Sequence, residues 1–178
     1  MSANRYKVQV SPEILQRIVA AGHEVGVHGY RHLPYPRRHD ADAADDLKRA
    51  LAVIEDMGVV RPKLFRPPYG LFSRAVSRCA DREGLEKVLW SRAGFDWGSR
   101  ATPESVARNV GEPQPGEVVL LHDSERYGAP GSHRSTIQAL PVIFESLRDK
   151  HLGFDTVSGL LRLGRYDEHL SEIDELLG

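Results

Sequence analysis

Apolar positions recur along this chain in two alternating rhythms, one helical and one made of short runs. Ser11-Pro12-Glu13 reads as a helix start, with a capping hydroxyl, a first-turn proline and a first-turn acid. Ile14, Leu15, Ile18 and Val19 then form an apolar stripe that Gly22 stops. The short run Val25-Gly26-Val27 follows and ends at His28. Leu47, Ala50, Leu51 and Ile54 share one face of a helix predicted from about Ala43 to Met57, closed by Gly58. Leu64-Phe65 predicts a second short strand, ending at Arg66. Ser73 caps a third helix that ends near Gly84, and Val88-Leu89-Trp90 predicts a strand after it. Thr102-Pro103-Glu104 opens a fourth helix. Val118-Val119-Leu120-Leu121 is the strongest candidate for a buried strand. A helix through Ile143, Phe144 and Leu147 comes next, with Pro141 confined to its early turns, and Phe154-Asp155-Thr156-Val157 reads as the last strand.

The repeating order is strand then helix. Parallel strands need crossovers, and those crossovers are usually helical, so the order predicts a parallel sheet or barrel with helices outside. His28, Arg66 and His122 each follow a predicted strand, and in such folds the carboxyl ends of the strands open on one face. Residues far apart in sequence are therefore expected to converge. No internal repeat or linker interrupts the pattern, and Gly128-Ala129-Pro130-Gly131-Ser132 reads as a loop inside one β/α unit.

Composition narrows the picture mainly by exclusion. With 178 residues and 40% hydrophobic content, the chain is expected to be one domain, residues 1–178. A formal net charge of -1 provides no long-range field for nucleic acid or an anionic membrane. A single cysteine, Cys79, excludes an intrachain disulfide and is most simply a small buried helix residue. No run approaches the ~18 apolar residues of a spanning helix, so no membrane span is expected. The first residues carry no signal-peptide pattern, which makes the expected compartment cytoplasmic unless an export signal lies outside this chain.

Taken singly, the polar clusters are weak signals. His28 and His32 have metal-ligand spacing, but 8 His in 178 residues produce about 0.35 such pairs by chance. His23-Glu24 with His28 misses the zinc-protease helix spacing by one residue. Arg66-Pro67-Pro68-Tyr69-Gly70 is a rigid turn, with an arginine where the strand ends. Asp96-Trp97 alone says little. His122-Asp123, after an apolar strand, is a titratable pair where this architecture concentrates function.

Their joint order is far more specific. Gly22-His23-Glu24-Val25-Gly26, His28/His32, Arg66-Pro67-Pro68-Tyr69-Gly70, Asp96-Trp97 and Leu120-Leu121-His122-Asp123 together resemble the polysaccharide deacetylase (NodB-homology) family of carbohydrate esterases, from about Glu13 to Leu161. The resemblance implies an α/β fold, a distorted (β/α) barrel of the glycoside hydrolase/deacetylase type, with residues 162–178 as a C-terminal helix. It implies metal-dependent hydrolysis of N- or O-acetyl groups on a glycan, with zinc as the metal and an acetylated glycan as the partner. In that scheme His28 and His32 hold the metal, and two imidazoles with a carboxylate leave open positions on it. His122 is the general acid, with Asp96 as its carboxylate partner. Arg66 holds a catalytic aspartate, Tyr69 offers its backbone N–H to the developing oxyanion, and Trp97 and Leu120 wall the acetyl pocket.

Two departures stand out. Gly29 occupies a position where many relatives have Ser or Thr, which removes a hydroxyl beside the first ligand. The family's Thr-Phe-Asp-Asp motif, source of the base and the third ligand, has no counterpart before His28. Asp40, Asp42, Asp45 and Asp46 read as capping charges at a helix start and are not given those roles. Arg5 to Val10 match the segment just before the first helix, so the expectation is a chain truncated at its N-terminus and lacking its first strand. Impaired catalysis follows, as does self-association through an open barrel edge. The rival expectation is a non-catalytic glycan-binding or regulatory pseudo-enzyme.

Overall fold

The structure is a computed structural model that describes residues 12–58 and 61–164. Ser11, the segment Arg5 to Val10 and most of the expected helix 162–178 lie outside those residues. The chain divides into two compact units, Met1–Leu89 and Trp90–Gly178.

In the first unit, helix α1 (Pro12–Ala20) closes as predicted, with Gly22 N–H bonding to Val19 O and His23 N–H to Ile18 O. Its stripe is less buried than its period suggests: Leu15 is enclosed, while Ile14 and Ile18 face solvent. Val25-Gly26-Val27 contributes a single bridge, Val27 parallel to Phe65. Strand β1 (Leu64–Phe65) pairs in parallel with β2 (Glu86–Lys87), so the strand lies just before the predicted Val88-Leu89-Trp90, none of which is in it. Val88 N–H still bonds to Phe65 O before the chain leaves the ladder. Helix α2 (Asp40–Asp56) and helix α3 (Arg74–Arg82) pack together over these strands, burying Leu47, Leu51, Phe65 and Val76. Each such side chain removed from water stabilises the fold by roughly 1.5–3 kcal/mol. Ser73 caps α3 through Val76 N–H, and Cys79 is buried in it, its thiol pushed up by burial.

The second unit repeats the scheme. Strand β3 (Arg92–Ala93) pairs in parallel with β4 (Val119–Leu120). The run 118–121 is half-buried rather than enclosed, because among the described residues β4 pairs with β3 alone in a two-stranded ladder. Helix α4 (Pro103–Val110) opens on a capping box between Thr102 and Ser105 and packs against helix α5 (Ser132–Asp149) through Val106, Val110, Ala139 and Ile143.

Two expectations fail here. Pro141 is the tenth of the 18 residues of α5, well past its early turns. It lies on the exposed face, where the backbone acceptor it leaves unpaired can be met by water. Phe154–Val157 is no strand, since residues 157–164 are helical. Thr156 Oγ1 accepts from Gly159 N–H at 3.1 Å, so a local helix cap overrides the β preference of Thr and Val.

Among the described residues no helix is long and apolar enough to cross a membrane.

Candidate active site

Parallel pairing decides which side chains meet. Val27 sits beside Phe65, so the next residues, His28 and Arg66, leave the ladder side by side. His28 Nδ1–H donates to the Arg66 carbonyl oxygen at 2.6 Å, which leaves the lone pair on Nε2. The His32 ring lies 5.1 Å from that of His28 and 4.7 Å from that of Tyr69, both edge to face. The Arg66 guanidinium donates to Leu89 O at 3.2 Å, and burial lowers its pKa from the ordinary arginine value. Pro67 and Pro68 fix the turn that follows. Tyr69 there has φ 59, a left-handed conformation unusual for an aromatic residue, and its side chain is exposed.

Asp46 is what the sequence reading missed. It is no capping charge: it lies inside α2 and is 2% exposed. Its carboxylate accepts from Tyr30 N–H at 3.0 Å, Arg31 N–H at 3.2 Å, Arg31 Nε at 3.0 Å and the Tyr35 hydroxyl at 3.1 Å. The loop carrying both histidines is thus tied to α2 through one buried side chain. Burial and the Asp46 charge push the Tyr35 phenol up. The signal was present in the sequence, because Asp46 falls on the face defined by Ala43, Leu47 and Ala50. Gly29 is also explained. It has φ +86, and a Cβ there would stand 2.6 Å from the Tyr35 hydroxyl oxygen, so this loop has no room for a Ser or Thr.

In the second unit, Ala93 pairs with Leu120, so Asp96 and His122 emerge from the same end of the ladder. His122 Nδ1–H donates to Asp96 Oδ1 at 2.8 Å, and Asp96 Oδ2 accepts from His122 N–H at 2.5 Å and the Thr136 hydroxyl at 2.7 Å. Burial raises the Asp96 pKa, but the hydrogen bonds from His122 and Thr136 outweigh it and hold the carboxyl below the usual carboxylate range. The imidazole is 40% exposed while its partner is fully enclosed. Trp97 packs edge-on against the His122 ring at 5.4 Å. Of the expected site residues, His28, His32, Arg66 and Tyr69 come together in the first unit, and Asp96, Trp97, Leu120 and His122 in the second.

Two imidazoles, one already in the Nε2-presenting tautomer, are of a donor type that suits a zinc-like ion. Among the described residues no group of three or more His, Cys, Asp or Glu that could hold a metal ion is assembled.

Comparison with known proteins identifies the family and the fold. A family model described as polysaccharide deacetylase matches residues 2–88. A peptidoglycan-N-acetylglucosamine deacetylase of Bacillus cereus is 34% identical over 160 residues, covering 88% of this chain and 72% of the relative. A family 4 carbohydrate esterase from Streptomyces lividans, solved with acetate, superposes with a TM-score of 0.69 at 30% identity, over 79% of this chain and 69% of that one. A CE4 family pseudoenzyme from Bacillus anthracis superposes with a TM-score of 0.73 at 26% identity, over 84% of this chain and 50% of that one. The chain therefore shares the α/β, distorted (β/α)-barrel fold class of these esterases.

Proposed function

Because this chain belongs to the polysaccharide deacetylase family, we propose that it hydrolyses acetyl groups from an acetylated glycan, with His122 as general acid and a zinc-like ion held by His28 and His32. The observation that carries the reading is the His122–Asp96 pair. An exposed imidazole whose Nδ1 is tied to a buried, hydrogen-bonded carboxylate is held in one orientation with Nε2 outward, which suits delivery of a proton to a departing amine or alcohol.

His28 and His32 would hold a divalent ion, which would supply Lewis-acid polarisation of the acetyl carbonyl. The remaining roles belong to the chain itself. The Arg66 carbonyl orients His28. The turn at Tyr69 offers a backbone N–H for developing negative charge. Trp97 and Leu120 supply apolar walls for an acetyl methyl group. Named relatives act on N-acetylglucosamine in peptidoglycan and on chitooligosaccharides, so an N-acetylated amino sugar is the substrate class proposed here.

The test is acetate release from an N-acetylglucosamine oligomer by the purified chain, with zinc and with a chelator, beside His122→Ala. Metal-dependent release that falls with the substitution supports the proposal. Release indifferent to both would remove it. The pseudoenzyme relative motivates a second reading, a glycan-binding protein without turnover, and oligomer binding with no acetate release under any metal condition would establish it.

A further inference from the structure

Phe95 holds a conformation that its surroundings impose and that an aromatic residue does not favour. Its φ is 51, in the left-handed region, and its side chain is 59% exposed. The neighbours on both sides are pinned. Gly94 N–H bonds to Leu120 O at 3.1 Å, and the Asn109 side chain donates to Gly94 O at 3.0 Å. A Cβ on Gly94 would stand 2.5 Å from Leu121 Cδ2, so the backbone passes close against that side chain. On the other side Asp96 is buried and bonded to His122 and Thr136. Between two fixed points the Phe95 ring is turned outward. A glycine or asparagine would occupy the position with less strain, so a large apolar ring there calls for a reason outside the local fold.

The surroundings supply one. The Phe95 and Trp97 rings lie 5.3 Å apart at an interplanar angle of 52°, and Trp97 in turn touches the His122 ring edge-on. A pair of exposed aromatic rings thus begins at the proposed proton donor, Trp97 against His122 and Phe95 against Trp97. The C–H face of a pyranose is apolar and flat, and it complements an aromatic ring while the sugar hydroxyls stay hydrated.

We propose that Phe95 is a sugar-binding platform, on which a pyranose ring of the glycan stacks beside the residue being deacetylated. This rests on the deacetylase reading for the identity of the ligand. It adds a specificity-determining residue that acts on oligomer binding rather than on the acetyl group.

The experiment titrates the full chain with a tetramer of N-acetylglucosamine, followed by calorimetry, for wild type, Phe95→Ala, Phe95→Gly and Phe95→Tyr, with melting temperature and acetate release measured on each. Losing one aromatic stacking contact should weaken tetramer binding about tenfold in Phe95→Ala. Phe95→Tyr should restore it. Phe95→Gly should bind as poorly as Phe95→Ala while melting no lower than wild type, since strain is relieved. Wild-type tetramer affinity in Phe95→Ala or Phe95→Gly would overturn the platform, whether or not acetate is released. Phe95-dependent binding without acetate release would uphold the platform and remove the deacetylase reading. A wild-type chain that does not bind the tetramer would overturn the platform.

Discussion

The Tyr35 hydroxyl donates to the Asp46 carboxylate at 3.1 Å, with both residues buried, and this bond fastens the histidine-bearing loop to helix α2. Asp46→Ala strands the Tyr35 hydroxyl, the Arg31 guanidinium and two backbone N–H groups. Stability should fall by about 1–3 kcal/mol or more, the usual cost of leaving a buried donor without its acceptor, the Arg31 side chain being part-exposed and able to turn to water. Tyr35→Phe should cost about 1–3 kcal/mol. Urea unfolding of both singles and the double gives their coupling. Additive losses would show that the two groups act independently.

Gly29→Ala should be destabilising for two separable reasons, its φ of +86 and the approach of a Cβ to the Tyr35 oxygen. Placed in a Tyr35→Phe background, the substitution should cost less, because the nearest atom is gone and only the backbone strain and the Asp46 Oδ2 approach at 3.2 Å remain. An equal cost in both backgrounds would mean that the close approach contributes nothing.

His122→Ala should lower kcat for acetate release by about 10²–10⁴-fold, the range for one positioned proton donor. The melting temperature should also fall, because the enclosed Asp96 carboxylate loses the ring as a donor, so kcat is compared on folded protein. Asp96→Asn should also reduce kcat, since it removes the charge and replaces one of the two acceptor oxygens that hold His122 and Thr136 by a donor. A rate unchanged in both variants takes His122 out of the mechanism.

Acid stability reports on Asp96. Its carboxyl sits below the usual carboxylate range in the folded chain: burial raises it, and the bonds from His122 and Thr136 overcome that effect. The folded-state pKa is therefore depressed relative to the unfolded value of about 3.9, so its stabilising contribution is complete above that value. It is lost as pH falls through the lower folded-state pKa. The stability difference between wild type and Asp96→Asn should be flat above about pH 5 and shrink below about pH 4. A difference constant down to the acid limit would mean that the carboxyl is not depressed.

Metal affinity should depend on both histidines. In a zinc titration against a competing chelator, His28→Ala or His32→Ala should each weaken binding by more than about 10–100-fold, the loss seen when even an outer hydrogen-bond partner of a ligand is removed. Tight stoichiometric binding that survives both substitutions would locate the ion elsewhere.

The sequence alone determined the local grammar. Caps at Ser73 and Thr102, the stop at Gly22, the apolar face of α2 and the alternation of strand with helix depend on hydrogen bonds and side-chain periods a few residues long. Those interactions are written within one window of the chain. The polar clusters were equally visible there, and their order pointed to the family. Only the tertiary structure decided what each polar residue faces. Asp46 and Asp45 are adjacent and chemically identical, yet Asp45 pairs with Arg49 at the surface while Asp46 is enclosed by a loop whose donors come from 11 to 16 residues away. Asp96 was an unremarkable residue in sequence until parallel pairing of β3 with β4 set it beside His122, 26 residues on. Thr156 shows the converse, a β-branched residue whose preference yields once its hydroxyl meets the Gly159 N–H. Burial and partnership are long-range properties, fixed by which strands lie side by side, and a linear pattern records them only where a polar residue interrupts an apolar face.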